Sequence, residues 1–321
     1  MKFRPLADTG VFVSELCLGT MTFGGRGQIW EVMGGLDQPA VDGLVGRALD
    51  AGINFIDTAN VYAGGESETL LGKAITGRRH EIVLATKVRG RMGPGPNQVG
   101  LSRLHIIDSV DASLRRLQTD YIDLFQIHRS DTLTNIEDTL RALDDLVRAG
   151  KVRYIGCSNL PAWYLMKALA TSREQRLERF KTTQSYYSLV GRDLERDTIP
   201  LIKDQGLGLL VWSPLAGGFL SGKFTRDGGD ENARRGKFDF PPVDKEKGFA
   251  ILDVLTPIAK AHGVTVPQIA LAWILANDAV TSVIIGARKI AQLDEVSRLP
   301  VQYTAWMDSL GSDRRPGERR Y

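Results

Sequence analysis

Short runs rich in β-branched residues alternate along this chain with longer stretches in which apolar residues recur every three or four positions. The first pattern is typical of buried strands and the second of amphipathic helices, so their alternation predicts repeated βα units around a parallel sheet. Eight strands are predicted, at residues 15–19, 53–56, 82–86, 122–127, 152–156, 182–185, 208–212 and 282–285. Eight such units predict an α/β fold of the TIM-barrel type, a (β/α)8 barrel.

Helices are predicted between these strands, most clearly at residues 40–51, 104–117 and 136–149. Ahead of the first barrel strand, residues 2–13 contain an Asp8-Thr9-Gly10 turn, which predicts an N-terminal hairpin able to cover the barrel floor. Long loops follow three of the strands, at residues 22–38, 89–100 and 214–247. Because strand-to-helix loops form the active-site rim of this fold, we expect substrate recognition to reside in them.

Length and composition favour one globular domain over residues 1–321, with a C-terminal tail from roughly residue 300. The net charge is +3, and residues 311–321 supply +2 of it, from four Arg against Asp313 and Glu318. The rest of the chain has no clustered basic run, which argues against a nucleic-acid partner. No window reaches the roughly 18 apolar residues of a membrane span. The two cysteines, Cys17 and Cys157, lie in apolar runs 140 positions apart, which indicates core residues in a reducing, cytoplasmic setting.

Four polar residues stand at the ends of predicted strands two to four. Asp57 follows the second strand, Lys87 the third and His128 the fourth, and Tyr62 lies five residues beyond Asp57. Each alone also fits an ordinary role: a loop-capping carboxylate, a solvated charge, a strand-end imidazole or a rim aromatic. Because the carboxyl ends of parallel barrel strands meet at one face, the four side chains are expected to converge there.

Such a set suits the reduction of a carbonyl group. A carbonyl that receives a hydride develops negative charge on oxygen and needs a proton donor. An ordinary Tyr, with a pKa of about 10, is a poor donor. A neighbouring ammonium such as that of Lys87 favours the phenolate, and a carboxylate such as Asp57 keeps the ammonium charged and in place. We therefore expect Tyr62 to be the general acid and His128 to polarise the carbonyl.

These residues occur in the settings Asn-Phe-Ile-Asp-Thr-Ala-Asn-Val-Tyr, Ala-Thr-Lys and Gln-Ile-His. The arrangement resembles the aldo-keto reductase superfamily over almost the whole chain, in particular its bacterial and potassium-channel-β-like members. The resemblance implies an oxidoreductase that reversibly reduces an aldehyde or ketone with NADPH. It also implies that the remaining strand ends hold the cofactor.

The resemblance places Ser158, Asn159 and Gln184 at the nicotinamide carboxamide, Trp212 against the nicotinamide ring and Arg288 at the 2′-phosphate. No Gly-x-Gly-x-x-Gly follows any strand, so a Rossmann site is not supported. Val296 stands where many relatives have Asn after the Glu, which weakens the expected adenine contacts. The full set expected to bind NADPH or NADP+ is Thr20, Met21, Ser158, Asn159, Gln184, Trp212, Ser213, Leu215, Gly217, Lys223, Gly286, Arg288, Gln292 and Glu295.

Phe23, Trp30 and Arg129 are expected to line the substrate pocket. The sequence does not specify which aldehyde, ketone or sugar is bound. No metal is expected, because the four His residues show no ligand spacing. Oligomeric state is open. Two other functions also remain open: an NADP(H)-binding regulatory or scaffold protein of the channel-β type with little turnover, and a barrel isomerase or lyase acting on a phosphorylated metabolite.

Overall fold

The computed structural model describes residues 1–25, 28–226, 228–229 and 234–297, so the predicted C-terminal tail lies outside the described residues. Eight parallel strands close into a barrel, which confirms the (β/α)8 prediction. An antiparallel hairpin of β1 (Phe3–Pro5) and β2 (Phe12–Ser14) precedes it. The barrel strands are β3 (Leu16–Gly19), β4 (Phe55–Asp57), β5 (Val83–Val88), β6 (Ile122–Ile127), β7 (Val152–Ser158), β8 (Thr182–Tyr186), β9 (Gly208–Trp212) and β12 (Val280–Ile285).

Alternate residues of each strand face the barrel interior, because successive side chains of a strand point to opposite sides. The interior is filled by a small apolar cluster to which the N-terminal hairpin contributes Leu6 and Val13, so the hairpin covers the floor as predicted. The strand members of this cluster are Cys17, Phe55, Ala85, Leu124, Leu210 and Ile284. The strand residues in between, such as Leu84 and Phe125, point outward and belong to the larger apolar layer between strands and helices.

Helix α5 (Ile136–Arg148) shows how helices around the barrel bury an apolar face in the layer between strands and helices. In α5, Ile136, Leu140 and Leu143 are buried at helical spacing, and the Asn135 side chain caps the helix by accepting a hydrogen bond from the Glu137 N–H. Burial of each such side chain contributes about 1.5–3 kcal/mol. The helices outside the long loops are α2 (Gln38–Asp50), α3 (Glu66–Ala74), α4 (Arg103–Leu117), α5 (Ile136–Arg148), α6 (Ala162–Gln175), α7 (Thr198–Gln205), α9 (Lys245–Ala261), α10 (Val266–Leu275) and α11 (Ile290–Ser297).

Two of the long loops contain short elements of their own. The loop after β3 carries α1 (Gln28–Met33), and the loop after β9 carries β10 (Phe224–Thr225), β11 (Gly228–Gly229) and α8 (Arg234–Lys237). The loop after β9 is organised around the buried Arg235, which donates to the backbone carbonyls of Ala216 and Pro241. α1 contacts α8, so the two loops meet above the barrel mouth.

Among the described helices, none is by itself long and apolar enough to cross a membrane. α9 and α10 pass that test only as a pair, and the chain bends by 100° between them.

Candidate active site

The strand ends bring the four predicted catalytic residues to one end of the barrel. Asp57 is the last residue of β4, Lys87 lies near the end of β5, and His128 directly follows β6. Each of the three lies two or four residues after a strand member of the interior cluster, so its side chain also points into the barrel, above Phe55, Ala85 and Leu124. Tyr62 begins a short 3-10 helix, Tyr62–Gly65, that leads into α3.

Lys87 connects the members of this tetrad. Its ammonium forms an ion pair with the Asp57 carboxylate and donates to the Thr58 carbonyl oxygen at 2.9 Å. The same Nζ lies 3.3 Å from the Tyr62 hydroxyl oxygen. The Tyr62 and His128 rings meet edge to face, with centroids 5.8 Å apart. Lys87 is completely buried and Asp57 nearly so, so this charged pair is shielded from solvent.

Burial and neighbouring charge determine the protonation of the two basic groups. Burial alone would lower the pKa of the Lys87 ammonium, but the Asp57 carboxylate and the Tyr62 oxygen outweigh it, so the pKa of Lys87 is raised. Burial lowers the pKa of the His128 imidazole to about 3, and the positive charges of Lys87 and two arginines act in the same direction. At neutral pH, Lys87 is therefore charged and His128 is a neutral imidazole.

Two glutamine amides complete the surroundings of Asp57. Gln126 Nε2 donates to Asp57 Oδ2 at 3.0 Å, and Gln184 Nε2 donates to the same oxygen at 2.9 Å. Sequence reasoning assigned Gln184 to a cofactor and missed Gln126 altogether. A usable signal was present, because Gln126 stands two residues before His128 on β6 and so shares its face of the strand.

Ser158 and Asn159, the other predicted carboxamide-binding residues, form a continuous hydrogen-bond relay with Trp212, which was predicted to lie against the nicotinamide ring. Trp212 Nε1 donates to Asn159 Oδ1 at 3.0 Å, and Asn159 Nδ2 donates to Ser158 Oγ at 2.8 Å and to the His128 carbonyl oxygen at 3.2 Å. Ser158 Oγ donates to the backbone oxygen of Gln184 at 2.9 Å. The relay holds these side chains in fixed orientations beside the tetrad.

One side-chain acceptor in this group stays available. Both N–H bonds of the Gln184 amide are used, one on Asp57 Oδ2 and the other directed to Gln126 Oε1 at 3.4 Å. No described group donates to Gln184 Oε1. Gln184 therefore offers an acceptor oxygen, which suits a ligand with an amide N–H, such as a nicotinamide carboxamide.

The loops after β3 and β9 place the next predicted residues around the mouth. The buried Thr20 hydroxyl lies 2.9 Å from Ser67 Oγ, and Met21 is half-buried. Ser213 has a left-handed backbone with a φ of 49°, Leu215 is half-buried, and Lys223 is exposed. Gly217 is required where it stands, because its φ is 65° and a Cβ would lie 2.4 Å from the Phe240 oxygen.

At the end of β12, Gly286 is exposed and Arg288 turns toward the first loop. The Arg288 guanidinium donates to the carbonyls of Val32 and Met33 at the end of α1, and the desolvation lowers its pKa. Gln292 Oε1 accepts from the backbone N–H of Arg288 at 2.9 Å. The backbone oxygen of Glu295 accepts from Gln268 at 2.8 Å, so Glu295 is placed by α10.

The predicted substrate residues occupy different environments. The Trp30 ring lies 6.4 Å from the Tyr62 ring, beside the tetrad, and Arg129 is exposed next to His128. Phe23 is completely buried in the layer between strands and helices. Phe240, which sequence reasoning missed, stacks on Trp212 with ring centroids 5.8 Å apart and an interplanar angle of 11°.

Comparison with known proteins finds similarity along nearly the whole chain. The model of the aldo/keto reductase family matches residues 15–302. The oxidoreductase YrpG of Bacillus subtilis is 39% identical, covering 91% of this chain and 89% of the relative. A probable voltage-gated potassium channel subunit beta of Arabidopsis thaliana is 35% identical, covering 92% and 90%. Norsolorinic acid reductase B of Aspergillus parasiticus is 36% identical, covering 92% and 79%.

Proposed function

Because this chain belongs to the aldo/keto reductase family, we propose that it is an NADPH-dependent oxidoreductase that reversibly reduces an aldehyde or ketone to an alcohol. The observation that carries the proposal is the position of Lys87 Nζ, which contacts both the Asp57 carboxylate and the Tyr62 hydroxyl at the barrel mouth. A buried ammonium beside a phenol is the arrangement that makes tyrosine a useful acid near neutral pH.

Each member of the tetrad has a separate role in the proposal. NADPH supplies the hydride to the carbonyl carbon when it is bound. The Tyr62 hydroxyl gives its proton to the carbonyl oxygen, and Lys87 stabilises the phenolate that remains. Asp57 keeps Lys87 charged in a buried position, where an unpaired ammonium would more readily lose its proton. The neutral imidazole of His128 orients and polarises the carbonyl oxygen by hydrogen bonding.

The residues at the other strand ends suit the cofactor. Gln184 Oε1 offers the acceptor that a carboxamide N–H requires, and Asn159 is held beside it by Trp212. Arg288 uses two of its five N–H bonds on α1 carbonyls, so three remain for a 2′-phosphate. A guanidinium at this point favours NADPH over NADH, because only NADPH carries that phosphate.

The test is NADPH consumption across a panel of aldehydes, ketones and sugars, repeated with Tyr62→Phe. This variant should bind NADPH as the wild type does, by fluorescence titration, and lose turnover by at least about 100-fold, because a positioned general acid contributes that much. Tyr121→Phe is the matched control, since Tyr121 precedes β6 at the opposite end of the barrel. Near-normal turnover by Tyr62→Phe would refute the assigned proton donor.

The similarity to a potassium channel subunit beta favours a second candidate, an NADP(H)-binding regulatory or scaffold protein with little turnover. The two functions differ in kinetics. A reductase oxidises many equivalents of NADPH per protein chain when carbonyl is in excess, whereas a nucleotide sensor oxidises one bound equivalent and then stalls. Stoichiometric oxidation alone, together with a co-purifying partner, would favour the second candidate.

A further inference from the structure

Gln126 occupies a space in the barrel that its neighbours leave open for it. It pairs with Lys87 of β5 on one side and with Gly156 of β7 on the other. A Cβ on Gly156 would lie 3.2 Å from Gln126 Cγ and 2.4 Å from Thr182 Oγ1. The absence of a side chain at position 156 therefore makes room for the long amide beneath the catalytic residues.

The hydrogen bonds of Asp57 divide between its two oxygens. Oδ1 pairs with Lys87, and Oδ2 accepts the amides of Gln126 and Gln184. With one oxygen held from each side, the carboxylate cannot rotate away from Lys87 without breaking two hydrogen bonds. Hydrogen bonds to a charged group are stronger than those between neutral groups, so the two amides restrain the carboxylate together.

The two glutamines differ in what else they serve. In the proposed function, Gln184 also faces the nicotinamide carboxamide through Oε1. Gln126 is completely buried, and its own Oε1 lies 3.4 Å from Gln184 Nε2. Gln126 is thus the donor dedicated to Asp57, and it also helps to hold Gln184.

We propose that Gln126 is a positioning residue for the proton donor: its amide keeps the Asp57 carboxylate directed at Lys87, whose ammonium contacts the Tyr62 hydroxyl. This inference rests on the proposed function. Gln126 touches none of the reacting atoms and acts through Asp57.

Removal of the amide has a defined electrostatic consequence. The donated N–H places the positive end of a dipole against Asp57 and offsets part of its negative charge. Without it, Asp57 cancels more of the positive potential that Lys87 exerts at the Tyr62 hydroxyl. The phenol then holds its proton to higher pH.

The test compares Gln126→Met, which preserves side-chain length, with Gln126→Glu, which preserves shape but replaces the donor by an acceptor. In Gln126→Met we expect kcat to fall on the order of tenfold, as for partial loss of general-acid catalysis. The alkaline limb of the kcat profile should move up by about half a pH unit, and further in Gln126→Glu. The dissociation constant of NADPH should stay within about twofold of the wild-type value, whereas Gln184→Leu should weaken it.

A second readout needs neither cofactor nor turnover. NMR of protein labelled with 13Cζ-tyrosine follows the titration of the Tyr62 phenol, assigned by its loss in Tyr62→Phe, and its midpoint should rise in both Gln126 variants. Thr182→Val is the matched control, because Thr182 Oγ1 is buried in the same row of the barrel and has no hydrogen-bond partner among the described residues. It should leave both the midpoint and the alkaline limb unchanged.

The outcomes separate this inference from the function on which it rests. The positioning role would be overturned if Gln126→Met kept the wild-type midpoint of the Tyr62 titration and the wild-type alkaline limb of the kcat profile. It would also be overturned if Thr182→Val shifted both by as much as Gln126→Met. Failure of the wild type to bind or oxidise NADPH would instead overturn the proposed function. Even then, the Tyr62 titration in cofactor-free protein would report on Gln126.

Discussion

Acidification should destabilise this protein through His128, whose imidazole is held neutral beside Lys87. The pKa of His128 is about 3 in the folded protein, against an ordinary value of 6.5. Because the folded value is the lower one, the unfolded chain takes up the proton first as the pH falls. The stability associated with the neutral imidazole is therefore complete above pH 6.5 and is lost progressively between pH 6.5 and pH 3.

The size of the effect follows from the difference between these values. Each pKa unit corresponds to about 1.4 kcal/mol. Because pH 5 lies about one and a half units below the ordinary pKa of histidine, the unfolded chain is protonated at His128 there, while the folded protein is not. His128 should then reduce the free energy of unfolding by about 2 kcal/mol between pH 7 and pH 5. His128→Gln has no proton to gain, so it should lack this part of the loss.

The assay is urea unfolding of wild type and His128→Gln at both pH values, followed by tryptophan fluorescence. Every other ionisable group is the same in both proteins, so the difference between the two losses isolates His128. His80→Gln, which removes an exposed imidazole elsewhere in the chain, is the matched control for the substitution itself. Equal losses in wild type and His128→Gln, within about 0.5 kcal/mol, would refute the neutral imidazole at position 128.

Two further predictions concern Arg288 and the Lys87–Asp57 pair. Arg288→Ala should weaken NADPH binding much more than NADH binding in parallel fluorescence titrations. The control Lys289→Ala removes a neighbouring exposed cation and should change neither affinity by more than about twofold. Equal losses for both cofactors in Arg288→Ala would contradict a 2′-phosphate contact. Lys87→Met should abolish turnover and lower the free energy of unfolding by about 3 kcal/mol, because it leaves the Asp57 charge buried with only amide donors. The double variant with Asp57→Asn should be less destabilised than the sum of the single variants by at least about 1 kcal/mol, and strict additivity in urea unfolding would contradict a coupled buried pair.

The barrel could be predicted because each strand and helix shows its own periodicity of apolar residues within a short stretch of sequence. The predicted strand at residues 122–127 coincides with β6, and the helix predicted at 136–149 differs from α5 by one residue. Boundaries were less well predicted where a strand continues into polar residues. β7 extends to Ser158 and β5 to Val88, past the predicted ends at 156 and 86, because neighbouring strands hydrogen-bond these residues whatever their polarity.

The interior of the long loops was not predictable in the same way. The loop after β9 is built around the buried guanidinium of Arg235, which pairs with Asp239 and donates to the carbonyls of Pro241 and of Ala216, nineteen residues earlier. In the sequence this arginine is one of several basic residues in a polar segment. Likewise, nothing local to Phe240 indicates that its ring stacks on Trp212.

The sequence by itself determined which side chains enter the barrel and at which end they stand. Strand side chains alternate with a period of two, and parallel strands end at one face, so the positions of Asp57, Lys87 and His128 follow from counting. Only the tertiary structure decided which of these groups bond to one another. The hydrogen bonds from Gln126 and Gln184 to Asp57 span 69 and 127 residues of chain, and hydrogen bonding depends on distances of a few ångströms, which periodicity does not specify.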